Sequence, residues 1–271
     1  MRINDITLAT QDLRYLSWDE CRSPSGMGGA RPKAREGTGA NAVYYKLAPL
    51  DGTRRAQGPE NANQLLCTRL ARMLGFPTAD CRLLRARVVF GGEELETCVL
   101  RSKSYRSAGE RGMSLEDFCN AEAVAGENPA EFCLRMGWGE QLGRIALLDY
   151  LTANRGRDGS GIEVLCDPRG HLRLSPLTGG SFSLCSAFPR RLWRLDPLAE
   201  LPSAGFPKSG SLQDNLALVP GDLPVEPLRP SSRRELMRNM DAAFNGDDDL
   251  LEGSWQIIWR RWQRYARVRG V

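Results

Sequence analysis

The sequence predicts an α+β fold in two parts: a β-rich first part with one main helix, and a mostly helical second part. Four segments within the first hundred residues are rich in β-branched, aromatic and aliphatic residues, which is typical of strands. From about residue 112 onward, apolar residues recur at helical spacing instead. We place the two parts at residues 1–105 and 106–271. A cleft between two such parts is a common place for a ligand.

The strands of the first part are expected in the segments DITLA, AVYYKLA, CRLLRARVVF and ELETCVLRS. Gly91 and Gly92 are expected to form a two-residue hairpin turn between the last two, because glycine adopts the positive φ that such turns need. The main helix is expected in ENANQLLCTRLARMLG, where Gly75 suits the position just after a helix end. A stretch rich in glycine and basic residues occupies 23–41.

Helix boundaries in the second part are marked by residues that cap helix ends. A long helix at about 140–153 is followed by the polar loop NRGRDGSG and then by a hairpin that turns at DPRG. Two further helices close the chain. The predicted capping residues are Ser114 for the first helix, Asn128 and Glu131 as a capping box for the next, and Ser232 and Glu235 as a box for the first closing helix.

Composition and charge exclude several classes of protein. The 271 residues carry a net charge of +4, which is too small and too dispersed to require a nucleic-acid partner. The apolar runs are far shorter than a membrane span, and the first residues do not contain the apolar core of a signal peptide. We therefore expect a cytoplasmic protein with no membrane partner.

The cysteines and the histidine argue against a metal site and against a disulfide framework. None of the 8 cysteines forms a CxxC pair, and most lie in apolar runs, where a thiol behaves as a small hydrophobe. The single histidine, His171, lies in the predicted hairpin, where we expect a structural role. The sequence therefore predicts no metal site.

The last predicted helix has a basic side. The segment WQIIWRRWQRYARVRG contains five arginines and no acidic residue. Its apolar residues share one helical face, so we interpret it as a core helix with a solvated basic side. Those apolar residues are Trp255, Ile258, Trp259, Trp262 and Ala266. The alternative is a nucleic-acid surface, ranked below the other functions, that would also use Arg31, Arg35, Arg54 and Arg55.

The order of several segments is that of a protein-kinase-like fold. A glycine-rich loop precedes the strand that carries Lys46, and a helix beginning NQLL follows. The loop NRGRDGSG then separates a long helix from a strand, and LSPLTGGSFSL comes next. On these segments the sequence resembles the HipA-like serine/threonine kinases in their compact form, over nearly the whole chain. The resemblance implies a two-lobed fold, with residues 1–105 as the N-lobe and 106–271 as the C-lobe.

The sequence departs from this family at its functional positions. In the family pattern NRDRHGxNIEVL, the aspartate accepts the proton of the substrate hydroxyl and the asparagine helps to hold magnesium. Here those positions are Gly156 and Gly161, and Asp158 replaces the histidine. The metal-binding aspartate of the family pattern PLFDxGxSL corresponds to Gly179. The glutamate that pairs with the strand lysine corresponds to Gln64.

These departures predict a pseudokinase, a kinase-like protein without conventional catalysis. Glycine neither takes up a proton nor binds magnesium through a side chain, and the loss of a general base alone costs ~10² to 10⁴ in rate. Loss of both metal-binding side chains also removes the main counter-charge to the phosphates. We expect a protein that acts by binding a protein partner, as a scaffold, a regulator or a nucleotide sensor.

ATP is the one cofactor considered, and we expect it to bind, if it does, without magnesium. Backbone amides and a lysine can contact phosphates in the absence of a metal ion. The candidate contacts are Lys46, Gly26, Gly28 and Gly29. The alternative is an enzyme with altered chemistry, nucleotidyl or residual phosphoryl transfer, whose working groups would be Asp158, Glu163 and Lys46.

Two questions stay open at the level of the sequence. The loop can be aligned differently with the family pattern, in which case the nearby acidic residues become candidates. These are Asp149, Asp158, Glu163 and Asp167. The emptied positions could also be filled by side chains turned inward, such as Phe182 or Leu177.

Overall fold

A computed structural model of the chain describes residues 5–21, 31–48 and 59–270. In this described part a six-stranded sheet is followed by a three-stranded sheet and by most of the helices. The strands are β1 Ile6–Asp12, β2 Asp19–Cys21, β3 Arg31–Glu36, β4 Val43–Leu47, β5 Cys81–Phe90, β6 Glu93–Lys103, β7 Arg111–Ser114, β8 Glu163–Cys166 and β9 Leu172–Leu174. The α-helices are α1 Glu60–Met73, α2 Leu115–Glu122, α3 Pro129–Arg135, α4 Gly139–Thr152, α5 Ser232–Leu236, α6 Met240–Ala243 and α7 Asp248–Arg269.

The six-stranded sheet has the order β1-β5-β6-β4-β3-β2, and only the β1–β5 pair among these strands is parallel. One face packs on α1, where Leu83 and Leu100 meet the apolar side of the helix. The other face carries a second, smaller core that includes Tyr45 and Val99. Leu13, in the segment after β1, covers this smaller core.

Local sequence signals explain several of these elements. The β5–β6 hairpin turns at Gly91 and Gly92, whose φ angles of 58° and 82° are those of a turn that needs two left-handed residues. In α3, Asn128 accepts hydrogen bonds from two backbone N–H groups and Glu131 completes the capping box. Ser114 caps α2 by accepting from the backbone N–H of Asp117. These predicted turns and caps are confirmed.

One predicted cap is wrong, and one strand was not predicted. Ser232 lies inside α5 rather than before it, and its hydroxyl accepts from the backbone N–H of Arg229 instead of capping the helix. The residue before the helix, Ser231, makes no side-chain capping bond. The stretch rich in glycine and basic residues at 23–41, for which no strand was predicted, contains β3, which pairs with both β2 and β4.

The predicted apolar face of α7 is confirmed in outline, but its basic side is not solvated throughout. Trp255, Ile258 and Trp262 are buried, and the rings of Trp255 and Trp259 stack with centroids 5.4 Å apart. Arg261 is only 1% exposed, and its guanidinium donates to backbone carbonyls. These carbonyls belong to Tyr150, Pro197 and Ala199. No helix in the described part of the chain is long and apolar enough to cross a membrane.

The largest core joins the two parts of the chain. Leu66 and Leu83 from the first part belong to the same buried cluster as Leu147 and Ile258 from the second. The boundary placed at residue 105 lies in the connection between β6 and β7 and stays a prediction. The shared core holds α1, and therefore the sheet above it, in a fixed position over α4.

Candidate functional site

A cavity of about 500 Å³ lies between the six-stranded sheet and the loop that follows α4. It is lined by four residues that the sequence analysis singled out from distant parts of the chain. These are Lys46 on β4, Gln64 on α1, Gly161 after α4 and Glu163 on β8. We call this space the interlobe cavity.

The sheet side of the interlobe cavity is strongly basic. Lys33 and Lys46 are direct register partners on β3 and β4, so their side chains project from the same face. Arg35 follows on the same face of β3 and also lines the cavity. Lys103 and Arg106 bring the lining to five cationic side chains. One sequence signal for this basic face was the spacing of two residues between Lys33 and Arg35. A strand was not predicted there because the surrounding sequence is rich in glycine.

Glu163 is the single carboxylate among the lining residues that the structure describes, and it is already paired. Arg106 donates to both of its oxygens, from Nη2 at 2.8 Å and from Nε at 3.2 Å. Burial, followed by the charge of Glu163, raises the pKa of the neighbouring Tyr105 hydroxyl well above its usual range. Because Arg106 neutralises it, Glu163 is a poor candidate for a general base or a metal ligand.

Helix α1 is fixed against both β4 and the TGGSFSL segment. Asn61 donates from its side-chain amide to the backbone carbonyl of Lys46 at 3.1 Å, which holds the lysine strand on the helix. Gln64 is buried, and its side-chain carbonyl accepts from the Ser181 hydroxyl at 3.2 Å. At the position where the family resemblance implies a glutamate, the amide therefore ties α1 to the segment containing Gly179.

A buried ion pair positions the loop after α4. The guanidinium of Arg157 donates from Nε to Asp149 Oδ2 at 2.9 Å and from Nη2 to Oδ1 at 3.0 Å. Its third nitrogen donates to the backbone carbonyl of Thr178 at 2.7 Å. Burial alone would lower the pKa of Arg157, but the charge and hydrogen bonds of Asp149 outweigh it and raise the pKa. Asp149 therefore acts as a structural anchor for the loop.

Two of the glycine positions leave little room for a larger side chain. A Cβ on Gly156 would lie 3.2 Å from the Cβ of Phe182, whose ring carries the Arg155 guanidinium at 5.5 Å from its centroid. Gly179 has a φ of +89°, and its Cβ would lie 3.0 Å from Arg157 Nη1. Phe182 therefore occupies the space beside the loop, whereas Leu177 packs into the two neighbouring hydrophobic cores.

The displaced acids do not meet at one place. Asp158 accepts from the Ser160 hydroxyl at 2.7 Å and from the Gly161 N–H at 3.1 Å, and so caps the short turn Gly159–Gly161. It lines a different cavity, of about 330 Å³, between α2 and the segment around Phe206. Asp167 pairs with His171 at 3.0 Å in the β8–β9 turn, away from both cavities.

The donor set does not fit a magnesium ion. Magnesium prefers octahedral oxygen ligands with at least one or two carboxylates. Among the described residues that line the interlobe cavity, the one carboxylate, Glu163, is already paired with Arg106. Residues 5–21, 31–48 and 59–270 also contain no group of three or more histidine, cysteine, aspartate or glutamate side chains placed to hold a metal. The predicted phosphate contacts Gly26, Gly28 and Gly29 lie outside the described residues, in the connection between β2 and β3.

Comparisons with known proteins identify the fold. No protein-family model and no curated protein matches the sequence. The crystal structure of the Helicobacter pylori proinflammatory kinase CtkA is similar, with a TM-score of 0.56 and 10% identity over 94% of this chain and 98% of that chain. The Shewanella oneidensis HipA in complex with HipB and operator DNA aligns with a TM-score of 0.46 and 14% identity over 90% of this chain and 67% of that one. The chain therefore has a kinase-like fold, as the resemblance to the HipA-like kinases predicted.

Proposed function

We propose that the chain is a catalytically inactive kinase-like protein that binds a nucleotide between its lobes without magnesium and acts through this binding on a protein partner. The observation that carries the proposal is the charge of the interlobe cavity. Among the described residues, its lining contains five cationic side chains and one carboxylate, Glu163, which Arg106 already neutralises. In such a cavity side chains supply the counter-charge that a metal ion supplies in other kinase-like sites.

The position of the cations supports a polyphosphate as the ligand. Asp19 faces Lys33 from β2, but on its other side Lys33 directly faces Lys46, and like charges opposite each other on paired strands are destabilising. An anion between them removes that repulsion. Lys33 and Arg35 make no salt bridge to a carboxylate of the described residues. A volume of about 500 Å³ is in the range of small-molecule sites.

The arrangement speaks against the alternative of an enzyme with altered chemistry. Such an enzyme would need Asp158, Glu163 and Lys46 around one substrate. Glu163 and Lys46 line the interlobe cavity, but Asp158 lines the neighbouring one and is held by the turn that it caps. Phosphoryl transfer also needs a group that accepts the proton of the attacking hydroxyl. Phe182 lies beside Gly156, where the resemblance places that group.

Nucleotide binding is tested by removing the cations without disturbing the fold. We expect the double variant Lys33→Gln/Arg35→Gln to bind a fluorescent ATP analogue in EDTA about a hundredfold or more weakly than the parent, since each of the two lost charged contacts is worth about 1.5–3 kcal/mol. The matched control is Arg260→Gln/Arg264→Gln, which removes two charges from the exposed side of α7. Equal affinities for the two variants would contradict the proposed site.

The absence of catalysis is tested separately with radiolabelled ATP and magnesium. We expect no transfer of label to the chain itself or to a general acceptor protein. Label transfer that disappears in Glu163→Gln or Asp158→Asn would instead establish the enzyme with altered chemistry. The binding experiment and the transfer experiment can fail independently, so the two halves of the proposal are distinguishable.

A further inference from the structure

A second basic cavity lies on the opposite face of the six-stranded sheet. It measures about 420 Å³ and lies between the sheet and the segment that follows β1. Successive side chains of a strand point to opposite faces, so Tyr45 and its register partner Arg101 face away from Lys46. Both line this second cavity. We call it the outer cavity. It shares two lining residues, Tyr45 and Lys103, with the interlobe cavity.

Two arginines face each other across the wall of the outer cavity. Arg82 on β5 and Arg101 on β6 are direct register partners in an antiparallel pair. Their side chains therefore share a face at short distance, an arrangement that is destabilising for like charges. Lys103, two residues after Arg101 on the same face, also lines the cavity. Three cationic side chains thus converge on one space.

The nearby carboxylates are engaged by other groups. Asp12 lies 2.7 Å from Arg14, whose hydrogen bonds hold the pKa of Asp12 down at about 2. Glu36 accepts from the hydroxyls of Tyr45 at 2.9 Å and Tyr15 at 3.3 Å. Burial, with the hydrogen bond to Glu36, raises the pKa of Tyr45 to about 12, so this hydroxyl stays a neutral donor.

No carboxylate of the described residues pairs with either arginine. Within the described residues, Arg82 and Arg101 form no salt bridge, although Arg101 has a side-chain hydrogen bond with Tyr45. Lys103 has a loose contact with Asp80 at 3.9 Å. The described residues that line the outer cavity therefore include three cations and one acid, Asp12, which is itself paired with Arg14.

We propose that the outer cavity binds a small phosphate ester, with Arg82 and Arg101 as the two arms that hold the phosphate. A guanidinium group matches the geometry of phosphate oxygens with two parallel hydrogen bonds. The bound anion removes the repulsion between the arginines. The ring of Tyr15, which is 64% exposed at the edge of the cavity, supplies a surface for the organic part of the ligand. The proposal does not depend on the function assigned to the interlobe cavity.

The outer cavity is tested in a chain whose interlobe cavity has been weakened. In the Lys33→Gln/Arg35→Gln background, calorimetric titration with pyrophosphate is expected to show binding to one site. Adding Arg82→Gln is expected to weaken this binding about tenfold or more, because a charge-assisted contact is lost. Adding Arg85→Gln is the matched control: Arg85 lies on the same strand but on the other face, paired with Glu96 at 2.6 Å.

The proposal is overturned if pyrophosphate does not bind in the weakened background, or if Arg82→Gln and Arg85→Gln lower its affinity equally. Acetate serves as a carboxylate titrant, and equal binding of acetate overturns the assignment to phosphate. Thermal melting gives a readout of the fold. Without phosphate, Arg82→Gln is expected to melt at or above the temperature of the parent, because the repulsion is gone. A phosphate-induced rise in melting temperature as large as that of the parent contradicts the proposal.

Discussion

The buried pair of Asp149 and Arg157 is the residue-scale feature on which the geometry of the site depends. It connects α4, the loop after it and, through the carbonyl of Thr178, the segment containing Gly179. Two ions buried together are stable only as a pair, because removal of one partner leaves an uncompensated charge in a low-dielectric interior. The loop is therefore held in place by a buried ion pair.

Replacement of one partner of this pair tests the anchor. We expect Arg157→Met to lower the free energy of unfolding by about 3–5 kcal/mol, because Asp149 is left buried and unpaired. Arg233→Met is the control, since Arg233 pairs with Glu252 at 2.7 Å where both side chains are about half exposed, and exposed pairs contribute about 0–1 kcal/mol. Urea titration measures both, and similar small losses would contradict the anchoring role.

An aspartate at position 179, where the family resemblance implies a metal ligand, is expected to be strained. We expect Gly179→Asp to lower stability by about 1–3 kcal/mol, because an L-residue at a φ of +89° is strained and its Cβ meets the Arg157 guanidinium. We expect the affinity of this variant for ATP to be independent of magnesium. Gly161→Asn is the control for stability. A Cβ added at Gly161 would have one neighbour within 4 Å, an oxygen of Asp158 at 3.7 Å. A magnesium-dependent Gly179→Asp variant would refute this prediction.

At the scale of elements, α7 illustrates how close packing overrides helix propensity. Gly253 lies in the first half of α7, and the ring of Trp193 lies directly on it. A Cβ on Gly253 would come 2.7 Å from Cε3 of that ring. The glycine therefore provides the space that the aromatic ring fills.

This contact reverses the usual effect of an alanine substitution. Gly→Ala in an exposed helix interior normally stabilises by about 1 kcal/mol. We expect Gly253→Ala instead to destabilise by about 1–3 kcal/mol, because the core has no room for the methyl group. Gln263→Ala on the exposed side of the same helix is the control, with a change within about 0.5 kcal/mol. Thermal or chemical denaturation measures whether Gly253→Ala stabilises or destabilises the fold.

The elements that were predicted correctly are those whose structure depends on residues adjacent in the sequence. The β5–β6 turn needs Gly91 and Gly92, and the start of α3 needs Asn128, so neighbouring residues suffice to identify them. Strand β3 was missed because its partners lie in other segments and its alternating residues are basic rather than apolar. The burial of Arg261 was missed for a similar reason, because its carbonyl partners come from residues distant in the sequence.

The same distinction applies to the site. The family resemblance placed Gly156, Gly161, Gly179 and Gln64 around Lys46, and of these Lys46, Gln64 and Gly161 line the interlobe cavity. Of the two displaced acids, Glu163 lines the same cavity and Asp158 does not. The packing of Phe182 on Gly156 could not be predicted from neighbouring residues, because it depends on the course of the chain after Gly179. The basic character of the cavity required β3 in its register, and the sequence alone did not supply this.

At the scale of the whole molecule, the shared core also determines how stability responds to pH. Burial raises the pKa of the Cys67 and Cys185 thiols to about 11, from an ordinary value of 9.0, and that of Cys133 to about 12. The folded state therefore retains protons that the unfolded state releases above pH 9. Stability from these thiols is fully present below pH 9 and is lost as the pH rises toward 11.

We expect the free energy of unfolding under reducing conditions to fall between pH 9 and 10. The fall has a slope of about 1.4 kcal/mol per pH unit for each thiol in the middle of its window. Urea titrations at pH 8, 9 and 10 measure it, and Cys67→Ala is expected to have a shallower slope by about one such contribution. An unfolding free energy that stays constant over this range would contradict the burial of these thiols.

The central claim is that the interlobe cavity binds a nucleotide with protein cations in place of a metal ion. The most direct test is calorimetric titration of the whole chain with ATP, once in EDTA and once in excess magnesium. We predict binding in EDTA that is at least as tight as binding with magnesium, since Lys33 and Arg35 compete with the metal for the phosphates. Binding that requires magnesium, or no binding in either buffer, would contradict the claim.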